Sequence, residues 1–98
     1  MTAPGNPDLD DAYPVPFRLD RDTGPRRYVL TNAGAEPVDG VTVSLLGSGM
    51  MPASLPATLL PGESLEVMVS GRDLARCTVL VVRWFRPSGR EYLWRVSF

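Results

Sequence analysis

The chain contains no lysine, no histidine and a single cysteine, Cys77, among its 98 residues. The missing histidine removes the commonest general base and the commonest transition-metal ligand. The missing lysine removes another activator of a serine nucleophile. One cysteine cannot form a disulfide within the chain. We therefore expect a protein that is not an enzyme and that has no catalytic residues, no metal site and no cofactor.

The remaining reactive groups support the same expectation. Cys77 stands at the start of a predicted strand with only Arg76 beside it, so we interpret it as a small buried or half-buried hydrophobe. The carboxylates are scattered over turns and the N-terminal segment, which does not suit a paired-carboxylate hydrolase. Residues 20–24 (DRDTG) match the Asp-x-Asp-x-Gly start of a calcium-binding loop. Such a loop needs further oxygen ligands downstream, including an acidic residue, and residues 29–31 (VLT) at that position contain no acidic residue. An ordinary turn is predicted there.

The chain also lacks long apolar runs and a large net charge. No stretch approaches the roughly 18 apolar residues of a membrane span, and the formal net charge is −1. A net charge this small does not attract the chain to nucleic acid or to a membrane surface. Residues 1–8 have neither the basic start nor the apolar core of a signal peptide. We expect a cytoplasmic protein with no nucleic acid, membrane or small-molecule partner, since so small a domain seldom has a ligand-sized cleft.

Proline and glycine are plentiful, at ten and nine residues, and they separate short apolar segments. Residues 1–14 are rich in proline and aspartate and predict a disordered or loosely attached tail; the alternative is a short acidic binding motif at residues 8–11. Residues 15–98 alternate with period two and show no sustained 3.6-residue period. They predict an all-β fold, a single antiparallel immunoglobulin-like (Greek-key) β-sandwich of about seven strands. The predicted inward set is Phe17, Leu19, Tyr28, Leu30, Val41, Val43, Leu45, Leu65, Val67, Val69, Leu80, Val82, Trp84, Tyr92, Trp94 and Val96.

The register of the last hairpin follows from its three-residue loop, residues 87–89. Such a loop usually combines a type I turn with a left-handed residue, and Gly89 occupies that position. Arg86 is then paired with Arg90. A slip of one residue would turn Arg95 toward the core, which is unfavourable. The predicted register places six residues on the core face: Leu80, Val82, Trp84, Tyr92, Trp94 and Val96.

The outer face of this hairpin is the best candidate for a functional surface. Protein interfaces are rich in aromatic residues and arginine. The alternative is a solvated face on which arginine stems cover scattered apolar groups. A second candidate is the methionine pair at residues 50–51, whose thioethers suit adaptable contacts, although such a pair also packs over sandwich ends. The residues predicted to contact a protein partner or a second copy are Val81, Arg83, Phe85, Leu93 and Arg95.

Three consecutive segments carry a family resemblance. Residues 28–34 (YVLTNAG) form a strand that ends in Asn-x-Gly, residues 40–45 (GVTVSL) alternate strictly, and residues 59–65 (LLPGESL) lead through a Pro-Gly turn into another strand. This order resembles the bacterial immunoglobulin-like modules of the CARDB and NEW3 type. The resemblance implies a β-sandwich with a non-enzymatic adhesion, spacer or recognition role. We expect a protein-binding or assembly module; the alternative is a structural subunit of a secreted or phage-like particle.

Overall fold

A computed structural model describes residues 13–21, 24, 26–52, 54–72 and 74–98. These residues form two antiparallel sheets with the strand orders β1-β2-β5 and β4-β3-β6-β7. The chain crosses between the sheets after β2, β4 and β5. The predicted all-β sandwich of about seven antiparallel strands is confirmed. The elements are β1 (Phe17–Asp20), β2 (Arg27–Asn32), β3 (Val38–Gly47), β4 (Ala57–Leu59), β5 (Ser64–Met68), α1 (Leu74–Cys77), β6 (Thr78–Phe85) and β7 (Glu91–Ser97).

Two short strands lie at sheet edges, as their neighbouring prolines predict. β1 follows Pro16 and β4 follows Pro56, and among the described strands each pairs with one neighbour. Proline has no N–H to donate to a ladder, so it is tolerated next to an edge strand. Val15 precedes β1, which begins at Phe17; Val15 is exposed and Pro16 is buried. In the described ranges, the one helix is a single turn, and none is long and apolar enough to cross a membrane.

The core lies between the two sheets, and every member of the predicted inward set is buried or packs against it. Val38 and Leu59 are also buried but were not predicted. They face each other across the β3–β4 pair, and the register of β3 shifts between Val38 and Val41. An irregularity of this kind breaks strict alternation, so two residues three positions apart both point inward. The buried apolar residues are Phe17, Leu30, Val38, Val41, Val43, Leu59, Val67, Val69, Leu80, Val82 and Trp84.

Asn32, at the end of β2, joins two connections of the sandwich. Its side chain is fully buried. The Nδ2 group donates to the carbonyls of Glu36 and Leu59, both at 2.9 Å, and Oδ1 accepts from the N–H of Gly34 at 3.0 Å. Its own carbonyl accepts from the N–H of Gly62 at 2.7 Å. The Asn-x-Gly segment therefore has a structural role, since it fixes the chain entering β3 against the chain leaving β4.

The turn before β5 has the predicted geometry. Gly62 has a φ of 86°, and the N–H of Glu63 donates to the carbonyl of Leu60 at 2.9 Å. Proline before a glycine with positive φ is the pattern of a type II turn. The Glu63 carboxylate also accepts from the N–H of Leu60 at 2.8 Å, which closes the turn from the other side.

Residues 1–12, which make up most of the predicted tail, lie outside the described residues. Tyr13 packs against the sandwich. Its ring lies 4.8 Å from the ring of Tyr92, measured between centroids, and its hydroxyl accepts a hydrogen bond from Trp84 Nε1 at 3.2 Å. Burial raises the pKa of the Tyr13 hydroxyl above its ordinary value. The packed part of the chain therefore includes Tyr13.

Candidate partner-binding surface

The last hairpin has the predicted register. Trp84 lies opposite Tyr92 on the paired strand, and the ladder continues without a shift to the end of β7. The turn closes with two hydrogen bonds: Arg86 N–H donates to the Arg90 carbonyl at 3.0 Å, and Gly89 N–H donates to the Arg86 carbonyl at 2.7 Å. Gly89 has a φ of 89°, a conformation that favours glycine. The residue that sets the register was therefore identified correctly.

The five residues predicted to bind a partner share the outer face of the β6–β7 hairpin. Register pairs Val81 with Arg95 and Arg83 with Leu93, and Phe85 follows on the same side of β6. Leu93 is 55% exposed, which is high for a large apolar side chain. The two arginines are exposed, while Val81 and Phe85 are half-buried. The five residues therefore lie on one face but differ in solvent exposure.

Phe85 is half-buried because its ring lies over a glycine of the neighbouring strand. A Cβ atom on Gly40 would come within 2.8 Å of Phe85 Cδ1. The β3–β6 register shifts between Asp39 and Thr42, which brings the glycine beneath the ring. Phe85 therefore packs on its own sheet, and Leu93 is the more accessible apolar group of the face.

A shallow groove of about 680 Å³ runs over this face. Val81, Arg83 and Leu93 contribute to its lining, and Met50 and Met51 line it from the loop after β3. The two surfaces singled out in the sequence therefore meet in one groove. The residues that line it are Thr42, Val43, Ser44, Leu45, Gly49, Met50, Met51, Pro52, Ser54, Val81, Arg83 and Leu93.

The two methionines of the groove differ in their packing. Met51 packs against the core, whereas Met50 is 75% exposed. The main chain of Met50 is nonetheless fixed, because its N–H donates to the Ser70 carbonyl at 2.7 Å and its carbonyl accepts from the Ser70 N–H at 2.9 Å. The loop thus presents one exposed apolar side chain from an anchored backbone.

The two arginines of the outer face differ in their charged contacts. Arg83 Nε lies 3.0 Å from Glu91 Oε2, in an exposed ion pair that holds the guanidinium along β7. Such a pair contributes little to stability, about 0–1 kcal/mol, but it limits where the side chain points. For Arg95, the described residues provide no ion-pair partner.

A second cluster, at the turn end of the hairpin, was not predicted from the sequence. Arg86 Nε donates to Glu36 Oε1 at 2.7 Å, and its guanidinium carbon lies 4.0 Å above the ring of Tyr13. Tyr92 and Trp84 stack beneath, with ring centroids 5.8 Å apart. These partners are distant in sequence, so no local pattern identifies them. Because Arg86 is held on both sides, the cluster stabilises the fold and offers little to a ligand.

The groups considered for chemistry are not assembled into a site by the described residues. Cys77 ends α1 and is exposed, so its interpretation as a buried or half-buried hydrophobe is wrong; the preceding helical turn carries it outward. Among the described residues, no group of three or more metal-ligating side chains comes together. Asp22 and Thr23 of the possible calcium loop lie outside the described ranges.

Comparison of the chain with models of protein families, with curated proteins and with solved structures finds no significant match.

Proposed function

We propose that this chain is a non-enzymatic protein-binding or assembly module that contacts a protein partner, or a second copy, through the outer face of the β6–β7 hairpin. The observation that carries the proposal is the groove in which Leu93 and Met50 meet. Two exposed apolar side chains from separate parts of the chain border it. A surface that only has to be soluble does not need two large apolar side chains exposed beside one groove.

The chemistry of the groove defines the partner it fits. An apolar side chain of a partner would insert between Leu93 and Met50, and Arg83 would meet a carboxylate or carbonyl beside it. Apolar anchors next to arginine are typical of interface centres. Methionine adapts its shape to the inserted group because its side chain is unbranched and polarizable. The groove is therefore suited to a protein segment with one large apolar residue and an adjacent acceptor.

The strand order and the composition support the rest of the proposal. Crossings after β2, β4 and β5 suit an immunoglobulin-like module, and such modules serve recognition on many unrelated chains. The absence of lysine and histidine disfavours an enzyme. An exposed cysteine without a disulfide partner in the chain suits a reducing compartment, so we place the module in the cytoplasm.

Partner capture by purified variants tests the proposal. The tagged wild type is compared with Leu93→Thr, Met50→Ser and Leu60→Thr in pull-downs from cells of the source, with bound proteins quantified by mass spectrometry. Leu60 is a matched control because it is 52% exposed but does not line the groove. Loss of an interface anchor costs about 2 kcal/mol, or roughly thirtyfold in affinity.

We expect the same captured protein to be lost from Leu93→Thr and from Met50→Ser and to be retained by Leu60→Thr. Thermal unfolding of all three variants must match the wild type, since none of these side chains is buried. Equal capture by all variants would mean that the groove is only a solvated surface.

A further inference from the structure

The outer edge of β7 differs from the other sheet edges of this protein. β1, β4 and β5 have four, three and five residues, whereas β7 has seven. β7 contains no proline or glycine, and its ladder with β6 has no bulge. In the described part of the chain, β7 pairs with β6 alone. Natural proteins usually interrupt such an edge, because its unpaired main chain is a template for another strand.

The direction of the unpaired groups follows from the turn. Arg86 N–H donates to the Arg90 carbonyl, and hydrogen-bonded and non-hydrogen-bonded pairs alternate along an antiparallel ladder. The even-numbered residues of β7 therefore exchange hydrogen bonds with β6. The odd-numbered residues direct their N–H and C=O groups away from the sheet. They are Glu91, Leu93, Arg95 and Ser97.

We propose that this edge pairs antiparallel with the same edge of a second copy, centred on Leu93, so that two four-stranded sheets join into one. Leu93 of one copy then faces Leu93 of the other, and Glu91 of each copy faces Arg95 of the other. Each pair exchanges two main-chain hydrogen bonds, about six in all. The occupant is a second copy because the strand is complementary to itself.

The side chains of β7 select this register over its neighbours. Directly opposite residues have Cβ atoms about 5 Å apart, where opposite charges stabilise the pairing and like charges weaken it. A two-fold axis at Glu91 or at Arg95 would bring like charges together. An axis at Tyr92 would set Glu91 opposite Leu93. An axis at Trp94 would set Arg95 opposite Leu93, so neither register gives an opposite-charge pair. Only the Leu93-centred register pairs both charges with their opposites, and Arg95 has no ion-pair partner among the described residues.

The inner row of β7 fits the same register. Tyr92 of one copy then lies opposite Trp94 of the other, and both rings are only partly buried in the single chain. Aromatic pairs across strands stabilise a sheet. The net charge of −1 also means that two copies repel each other weakly. The interface is short, so we expect a dissociation constant on the order of 10–100 µM.

This inference does not rest on the proposed function, since the edge and the groove are different surfaces. The two share Leu93, but Met50 lines the groove and lies outside β7. Met50→Ser therefore tests the groove alone. If the edge pairs, the outer faces of two copies become continuous, and each dimer carries two grooves.

A charge-swap experiment tests the register by sedimentation velocity over a concentration series. Arg95→Glu places carboxylates opposite Glu91 of the other copy, and Glu91→Arg places guanidinium groups opposite Arg95. Each variant alone should dimerise at least about tenfold more weakly than the wild type. An equimolar mixture of the two restores both opposite-charge pairs, so it should associate within about threefold of the wild type. The control Arg18→Glu makes the same charge change on β1, where Arg18 is exposed, and should dimerise normally.

The mixture also shows that both variants fold, because unfolded chains could not restore association. Three results would overturn the proposal. A wild type that stays monomeric to about 500 µM would mean that the edge does not pair. A mixture no stronger than its components would exclude this register. Dimers that appear only after residues 1–12 are deleted would mean that the chain's own N-terminal segment occupies the edge.

Discussion

Replacing Asn32 by alanine should cost a large part of the stability of this domain. The substitution leaves the carbonyls of Glu36 and Leu59 and the N–H of Gly34 without their side-chain partner. The Leu59 carbonyl bond is buried, and loss of its partner costs about 1–3 kcal/mol. The other two are partly buried and can be reached by water, so each costs about 0.5–1.5 kcal/mol. The sum is about 2–6 kcal/mol.

That loss is measurable against the 5–15 kcal/mol of a typical domain. For a chain of this size it corresponds to a fall of about 8–30 °C in the thermal midpoint, at about 4–5 °C per kcal/mol. Urea unfolding followed by tryptophan fluorescence gives the free energy directly. The control is Thr58→Ala, which removes an exposed hydrogen bond to Asp39 and should cost less than about 0.5 kcal/mol. A loss below about 1 kcal/mol at Asn32 would refute the role assigned to its side chain.

Asn32→Asp keeps the shape of the side chain but removes the two hydrogen bonds that Nδ2 donates. The carboxylate keeps the acceptor for Gly34 but places a negative charge against two carbonyl oxygens. These oxygens and burial raise the pKa of the carboxyl in the folded state above about 3.9, its value in the unfolded chain. The variant should therefore lose stability, relative to the wild type, as the pH rises through the raised pKa. Unfolding at pH 4 and pH 7 measures the difference, and equal destabilisation at both would contradict it.

Three further predictions concern the backbone and the N-terminus. Gly47→Ala should destabilise by more than about 3 kcal/mol, because its φ is 97° and a Cβ would clash with the Cys77 carbonyl oxygen. Gly62→Ala, with a φ of 86° and no neighbour within 4 Å, should cost only about 1 kcal/mol in the same urea assay. The raised pKa of Tyr13 means that its contribution is complete below about pH 10, the unfolded value, and is lost as the pH rises through the folded value. The stability of the wild type should therefore decline toward that of Tyr13→Phe in alkaline unfolding curves, and a constant difference would contradict this. Deleting residues 1–12 should leave the thermal midpoint within about 2 °C, since their composition offers little apolar surface, and a larger loss would mean that this segment docks.

The last hairpin could be predicted from the sequence because its determinants are local. A three-residue loop with Gly89 and the alternation of flanking apolar residues set the register without information from the rest of the chain. Val38 and Leu59 could not be predicted in the same way. Their burial depends on an irregularity in β3, and such an irregularity leaves no reliable trace in a pattern of period two.

The candidate surface was predicted only in part, for a similar reason. Alternation placed Leu93 and Phe85 on the outer face, but it could not show that Gly40 lies beneath one of them. The meeting of Met50 with Leu93 depends on how a loop returns across the sheet, and Tyr13 was assigned to the tail because its partners lie on the last hairpin. Contacts of this kind depend on tertiary packing and not on sequence neighbours.

The two hydrogen bonds between Met50 and Ser70 involve only the main chain, so the fold at this position does not depend on the Met50 side chain. The backbone is held by the bridge, while the side chain projects into solvent and adds little to the core. Substitutions at position 50 can therefore change the shape and polarity of one wall of the groove at little cost in stability. Related chains could diverge in specificity here while every buried residue stays the same. The position is correspondingly the first one to randomise in selecting variants with a new partner.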